Sequence, residues 1–97
     1  MSKRMVRRQL ADRDITAAVD YYFNEGSVAA ALGFIDALEQ ALSHLSRHPG
    51  AGSPRYAQEL NLPGLRSWRL LGYPYLIFYQ DRADLIDVWR VLHAHRD

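Results

Sequence analysis

The 97-residue chain contains no cysteine. That single absence removes a disulfide scaffold, an iron–sulfur site, a cysteine zinc site and a cysteine nucleophile together, and it fits a reducing compartment. Lysine is nearly absent as well: of the twelve cationic side chains only Lys3 is not arginine. Arginine brings a planar donor fork that suits carboxylates, phosphates and aromatic faces better than an ammonium does. Excess charge of either sign is missing, because twelve Lys+Arg stand against eleven Asp+Glu for a net charge of +1. Whole-molecule attraction to a polyanion is thereby excluded, and any such contact must come from a local patch. No run approaches the roughly 18 apolar residues of a membrane span. The basic start (Lys3, Arg4, Arg7, Arg8) leads into acids instead of an apolar signal core, so a cytoplasmic protein is expected.

What remains is 48% hydrophobic and 24% charged, the composition of one small globular domain over residues 1–97. Its charges are segregated. Bases dominate residues 1–8 and 47–75, and acids dominate residues 12–46. Residues 5–10 read as a short strand, after which Asp12 and Asp14 offer caps and negative charge for a helix start. Ile15, Ala18, Val19, Tyr22 and Phe23 then repeat with the 3.6-residue period of a helix, until Asn24-Glu25-Gly26 stops it. Ser27 caps a second helix whose stripe is Ala31, Phe34, Ile35, Leu38, Leu42 and Leu45, ending at His48-Pro49-Gly50. The two form an antiparallel hairpin, and Gly33 offers room for a close helix–helix approach. Residues 49–63 hold three prolines and two glycines without a period and read as a loop.

From residue 65 the composition turns to β. Residues 65–71, 75–80 and 85–93 are rich in Leu, Ile, Val, Tyr, Phe and Trp and are separated by turn residues, which predicts an antiparallel meander. The expectation is an α+β fold of order β-α-α-β-β-β, with the helical hairpin packed on a mainly antiparallel sheet.

Motifs for catalysis are sparse. His93/His95 and His44/His48 are pairs without a third ligand at a characteristic spacing, so surface histidines are expected and no metal or cofactor. Ser46, Ser53 and Ser67 lack a nucleophile elbow, and the glycines of residues 50–53 follow a helix, the wrong context for a phosphate loop. Asp12/Asp14 and Asp81/Asp84 sit where aspartate serves local hydrogen bonding. The C-terminal third is richer: Arg66, Trp68, Arg69, Trp89, Arg90, His93, His95 and Arg96 interleave cations with aromatics, a mixture suited to phosphates, bases or an acidic protein. Strand alternation sets Arg66, Trp68 and Leu70 on one face and Ser67, Arg69 and Leu71 on the other. Trp89, between Val88 and Val91, is expected in the core, whereas Trp68 suits either core or surface. Tyr21 lies beside the apolar stripe of its helix, either at its margin or exposed for partner contact.

Taken in order, several segments resemble the ParE branch of the RelE/ParE toxin superfamily. They are Asp14-Ile15 with Ala18, Tyr21 and Tyr22; Pro49-Gly50 with Gly52-Ser53-Pro54; Gly64-Leu65-Arg66-Ser67-Trp68; Tyr75-Leu76-Ile77-Phe78-Tyr79; and Arg90-Val91-Leu92-His93-Ala94-His95-Arg96-Asp97. The resemblance implies a toxin of a type II toxin–antitoxin module that inhibits DNA gyrase by stabilising its cleaved-DNA complex, without catalysis of its own. It also implies a ParD-like antitoxin whose C-terminal segment folds on the toxin. Arg69, Arg90, His93, His95 and Arg96 are the expected target contacts, and Tyr21, Arg66 and Trp68 the expected antitoxin contacts. The RelE-like alternative, ribosome-dependent mRNA cleavage, fits less well: Leu76 follows Tyr75 where that branch has arginine, and no tyrosine follows Arg96. A degenerate, non-toxic binding module is the third reading.

Overall fold

The computed structural model describes residues 2–95. A first strand, β1 (Arg4–Arg7), runs directly into helix α1 (Gln9–Glu25), which is followed by α2 (Val28–Arg47). A 3-10 turn (Pro49–Ala51) and a short helix, α3 (Arg55–Glu59), lead into the strands β2 (Leu65–Arg69), β3 (Tyr75–Asp81) and β4 (Leu85–His93). The expected α+β order is therefore observed, with structure added inside the segment expected to be a loop. Among the described residues no helix is long and apolar enough to cross a membrane.

The sheet order is β1-β4-β3-β2. The meander pairs antiparallel, while β1 lies parallel to β4, with Arg4 opposite Leu85 and Arg7 opposite Val88. A parallel pair requires a long crossover. Here the whole helical hairpin and two strands lie between its members.

Helix α1 begins earlier than its aspartates suggest. Arg8 occupies the N-cap position without a side-chain cap bond, and its backbone N–H donates to the Val88 carbonyl at 3.0 Å. The strand–helix junction is thus fixed by the sheet. Asp12 and Asp14, expected as caps, lie inside the first turns and serve other partners, Asp12 accepting from Arg7 at 2.8 Å. Ser27 does cap α2, accepting from the Ala30 N–H at 3.0 Å.

The core lies between the hairpin and one sheet face, where Phe34, Leu45, Ile77, Tyr79, Ile86, Val88 and Val91 are essentially inaccessible. Each such side chain contributes roughly 1.5–3 kcal/mol relative to an exposed one. Phe23, expected within the α1 stripe, is instead exposed. It stands at the far margin of the stripe, near the helix end, beyond the reach of the sheet. Gly33 serves a neighbour other than α1. A Cβ there would collide with the hydroxyl of Tyr73, which donates to the Ala30 carbonyl at 3.0 Å.

Trp89 departs from its expected core position. The β3–β4 register slips at Phe78/Tyr79, so Phe78 faces Arg90, Tyr79 faces Val88, and Trp89 has no partner on β3. This bulge swings the indole to the sheet margin, half-buried, with the Arg8 guanidinium 4.6 Å from its ring centroid.

Candidate functional site

The register divides the C-terminal cations between two sheet faces. Trp68 opposite Ile77, and Ile77 opposite Val91, look toward the helices, whereas Arg69 opposite Leu76, and Leu76 opposite Leu92, look away from them. On that outer side α3 lies against β2, and its Tyr56 ring packs T-shaped with Phe78, centroids 5.4 Å apart. Between α3, the outer sheet face and the residues just past β4 runs an open groove of about 630 Å³. Arg55, Tyr56, Arg69, Leu76 and His95 are among the side chains along it, with Ser53 and Ser67 at its wall.

The groove wall is clamped from within. Tyr79 is fully buried, and its hydroxyl donates to the Pro49 carbonyl at 2.8 Å while accepting the Gly52 N–H at 2.8 Å. Burial raises the pKa of this phenol, only partly offset by the Gly52 hydrogen bond and the Arg66 charge. It therefore stays a neutral donor at ordinary pH. Gly52 is needed at this point, since a Cβ would overlap the Tyr79 ring. Arg66 adds a second clamp, donating to the Gly52 carbonyl at 2.8 Å and to that of Gly50 at 3.3 Å. Two backbone bonds between Ser53 and Ser67, at 2.8 and 2.9 Å, then fasten the loop to the β2 edge.

Of the residues expected to contact a target, Arg69 and His95 line this groove together. Arg90 is drawn elsewhere: its Nε and Nη2 donate to the Asp14 carboxylate at 2.7 and 2.9 Å, and the Val91 N–H donates to the same group at 3.0 Å. Hydrogen bonding to Asp14 holds the guanidinium above its ordinary pKa. His93 sits on the helix side with its ring 5.2 Å from Tyr75, and the His95 N–H donates to its Nδ1 at 3.1 Å. Arg96 lies outside the described residues. No group of three or more potential metal ligands occurs among the described residues.

The residues expected to contact an antitoxin also separate. Tyr21 is 46% exposed and lines a second groove, about 390 Å³, with Ala17 of α1 and with Val91, Leu92 and His93 of β4. Leu10, Phe23, Val28 and Leu32 are further exposed apolar residues of the hairpin. Arg66 is the loop clamp. Trp68 stacks on His44 of α2, centroids 4.9 Å apart and planes at 27°. It lies between core and surface and borders a further groove with Gln40, His44 and Leu71.

Arg55 and Tyr56 are not singled out by the sequence, because the segment carrying them reads as loop. The available signal is the Arg55/Glu59 spacing of one helical turn, a pair at 3.9 Å.

A second electrostatic cluster fastens the far sheet edge. Asp87, buried on β4, accepts from Arg8 at 3.0 and 2.8 Å and from Arg82 at 3.0 Å. Burial alone would raise its pKa, yet the hydrogen bonds from Arg8 and Arg82 outweigh it and hold the carboxyl below its ordinary value. Trp89 Nε1 is buried without a well-formed hydrogen bond among the described residues, but its N–H lies near enough to Asp87 to add to that lowering.

The fold has a counterpart among known proteins. No curated protein matches the chain significantly. The solved chromosomal ParDE TA system from P. aeruginosa contains a chain of the same fold, with TM-score 0.80 and 20% identity over 97% of this chain and 98% of that one. The family model of the ParE toxin of the type II toxin–antitoxin system parDE matches residues 6–97, from β1 through the last strand and beyond. With nearly every element that builds the two grooves inside that match, the chain belongs to the ParE toxin family.

Proposed function

We propose that the chain is a toxin that inhibits DNA gyrase by stabilising its cleaved-DNA complex, that it acts by binding, and that a ParD-like antitoxin neutralises it in the cytoplasm. Family membership supports the toxin reading, and one feature of the groove supports binding over RNA cleavage. Leu76, an apolar side chain, lies on the groove where the RelE branch carries an arginine next to the strand-opening tyrosine. RNA cleavage through a 2′-hydroxyl needs one group to take a proton and another to deliver one. Arg69 and Arg55 supply charge but are poor proton carriers at neutral pH, which leaves, among the described residues, the one His95 imidazole along the groove where two proton transfers are needed.

The antitoxin reading rests on the other side of the molecule. The groove along α1 and β4, with Tyr21 and the exposed apolar residues of the hairpin, offers the apolar anchoring sites that a segment folding on binding requires. The P. aeruginosa system, a ParDE pair by its description, is consistent with such a partner.

The test is a gyrase assay with the purified chain. Increased gyrase-linked DNA breaks, and filamentous cells on expression without antitoxin, are expected. Transcript cleavage at ribosomal A sites would instead establish the endonuclease, and unslowed growth would establish a harmless binding module.

A further inference from the structure

We infer that the groove between α3 and the outer sheet face grips a nucleic-acid strand directly, Arg69 and Arg55 holding its phosphates and the stacked Arg55–Tyr56 pair flanking an unstacked base. This deepens the gyrase reading and rests on it only for the identity of the strand as DNA.

Three observations carry it. First, the donor side chains come from separate elements and line one groove: the guanidiniums of Arg55 from α3 and Arg69 from β2, and the imidazole of His95 from the segment after β4. No carboxylate is among the described residues lining this groove. Second, these guanidiniums are available. Arg55 is 68% exposed at its side chain, and its one carboxylate neighbour among the described residues, Glu59, is a loose surface pair at 3.9 Å. Arg69 has no carboxylate partner among the described residues. At the opposite sheet edge, by contrast, Arg8, Arg82 and Arg90 are each bound to an aspartate within 3.0 Å.

Third, the surfaces between the cations are of the kind that bases use. The Tyr56 ring carries the Arg55 guanidinium 5.3 Å from its centroid, a paired aromatic and planar cation, and Leu76 and Ala94 give an apolar floor. Arginine forks match phosphate oxygens, and alternating aromatic and cationic surfaces are how single strands are held without sequence preference. An acidic peptide would use the forks but leave the aromatic and apolar floor without a function. The groove is open to solvent, which leaves room for a strand to lie along it. A net charge of +1 makes the attraction local, so affinity is expected to be weak and strongly tied to these two arginines.

The test uses the ¹⁵N-labelled full chain titrated with a short oligothymidylate at low salt. Chemical-shift changes are expected at Arg55, Tyr56, Arg69, Ala94 and His95. The double variant Arg55→Ala/Arg69→Ala should bind about tenfold or more weakly. Its slope of log K against log salt should be shallower by about 1.4, at about 0.7 per phosphate left unneutralised. Both arginines are exposed, so the variant should keep the wild-type spectrum elsewhere. Absent binding, shifts confined to the helical hairpin, or undiminished affinity in the double variant would overturn the inference. So would equal affinity for a hexaglutamate peptide at the same residues. Gyrase inhibition without oligonucleotide binding would defeat this inference alone. Oligonucleotide binding without gyrase inhibition would defeat the functional reading and leave this one standing.

Discussion

Arginine does different work at the two ends of the sheet. Where β1 meets β4, Arg8 and Arg82 both close on the buried Asp87, and Arg90 closes on Asp14 at the start of α1. Where α3 meets β2, Arg55 and Arg69 project into an open groove with little or no internal neutralisation. The first group is architectural: a parallel edge strand of four residues, too short to hold by its own ladder, is tied down by charge-assisted bonds. The second leaves its donors to whatever enters the groove. The same side chain is thus tied into the fold or left open to solvent according to whether a carboxylate faces it, which net charge does not reveal.

That contrast can be broken most severely at Asp87. Asp87→Ala removes the shared acceptor of two guanidiniums. Because Arg8 and Arg82 are each about half exposed and can rehydrate, a loss of about 2 kcal/mol is expected in urea unfolding, below the usual cost of a wholly buried pair. The same group predicts an acid sensitivity. Its folded pKa lies below the ordinary 3.8, so its contribution is fully present above that value and is lost as pH falls through the folded pKa. Unfolding free energy measured from pH 5 downward should fall less steeply in Asp87→Asn than in the wild type.

Tyr79→Phe comes next. It deletes the hydroxyl that bridges Pro49 and Gly52 and leaves a part-buried carbonyl and a buried N–H without that partner. A cost of about 1–2 kcal/mol is expected, together with loosened hydrogen-exchange protection at Gly52 and Ser53. Unchanged exchange there would mean that Arg66 and the Ser53–Ser67 bridge suffice to build the groove wall.

Much of this architecture is legible in the residues, and the exceptions have common causes. The apolar stripe of α2, the Ser27 cap and the three meander strands follow from local chemistry, and the structure has all of them. The start of α1 is hidden because it is set by the Arg8–Val88 backbone bond between distant parts of the chain, and long-range pairings leave no local periodicity. Asp14 resembles a cap for the same reason, its true partners being Arg90 and Val91. Burial of Trp89 does not follow from strand alternation because a bulge interrupts that alternation. In the candidate site, composition points to Arg69 and His95, whereas Arg55 and Tyr56 are masked by flanking prolines that happen to frame a helix.

Tyr21 gives a smaller effect of a different kind. Tyr21→Ala should cost about 1 kcal/mol of stability, through its T-shaped contact with Tyr22, and weaken antitoxin binding by about tenfold in calorimetry, as expected of a half-exposed aromatic anchor. Arg66→Ala should lower stability more, through the loop, while affecting the antitoxin little. The smallest effect on folding belongs to Arg55→Ala/Arg69→Ala, expected within about 0.5 kcal/mol of wild type, since neither guanidinium supports the fold. A large destabilisation there would erase the distinction between the two ends of the sheet.

The central claim is tested most directly by a gyrase DNA-cleavage assay comparing the purified wild-type chain with Arg55→Glu/Arg69→Glu. Cleaved DNA should accumulate with the wild type and fall to the toxin-free level with the charge-reversed variant, at matched folding by circular dichroism. No accumulation with the wild type, or equal accumulation with both, would contradict the account.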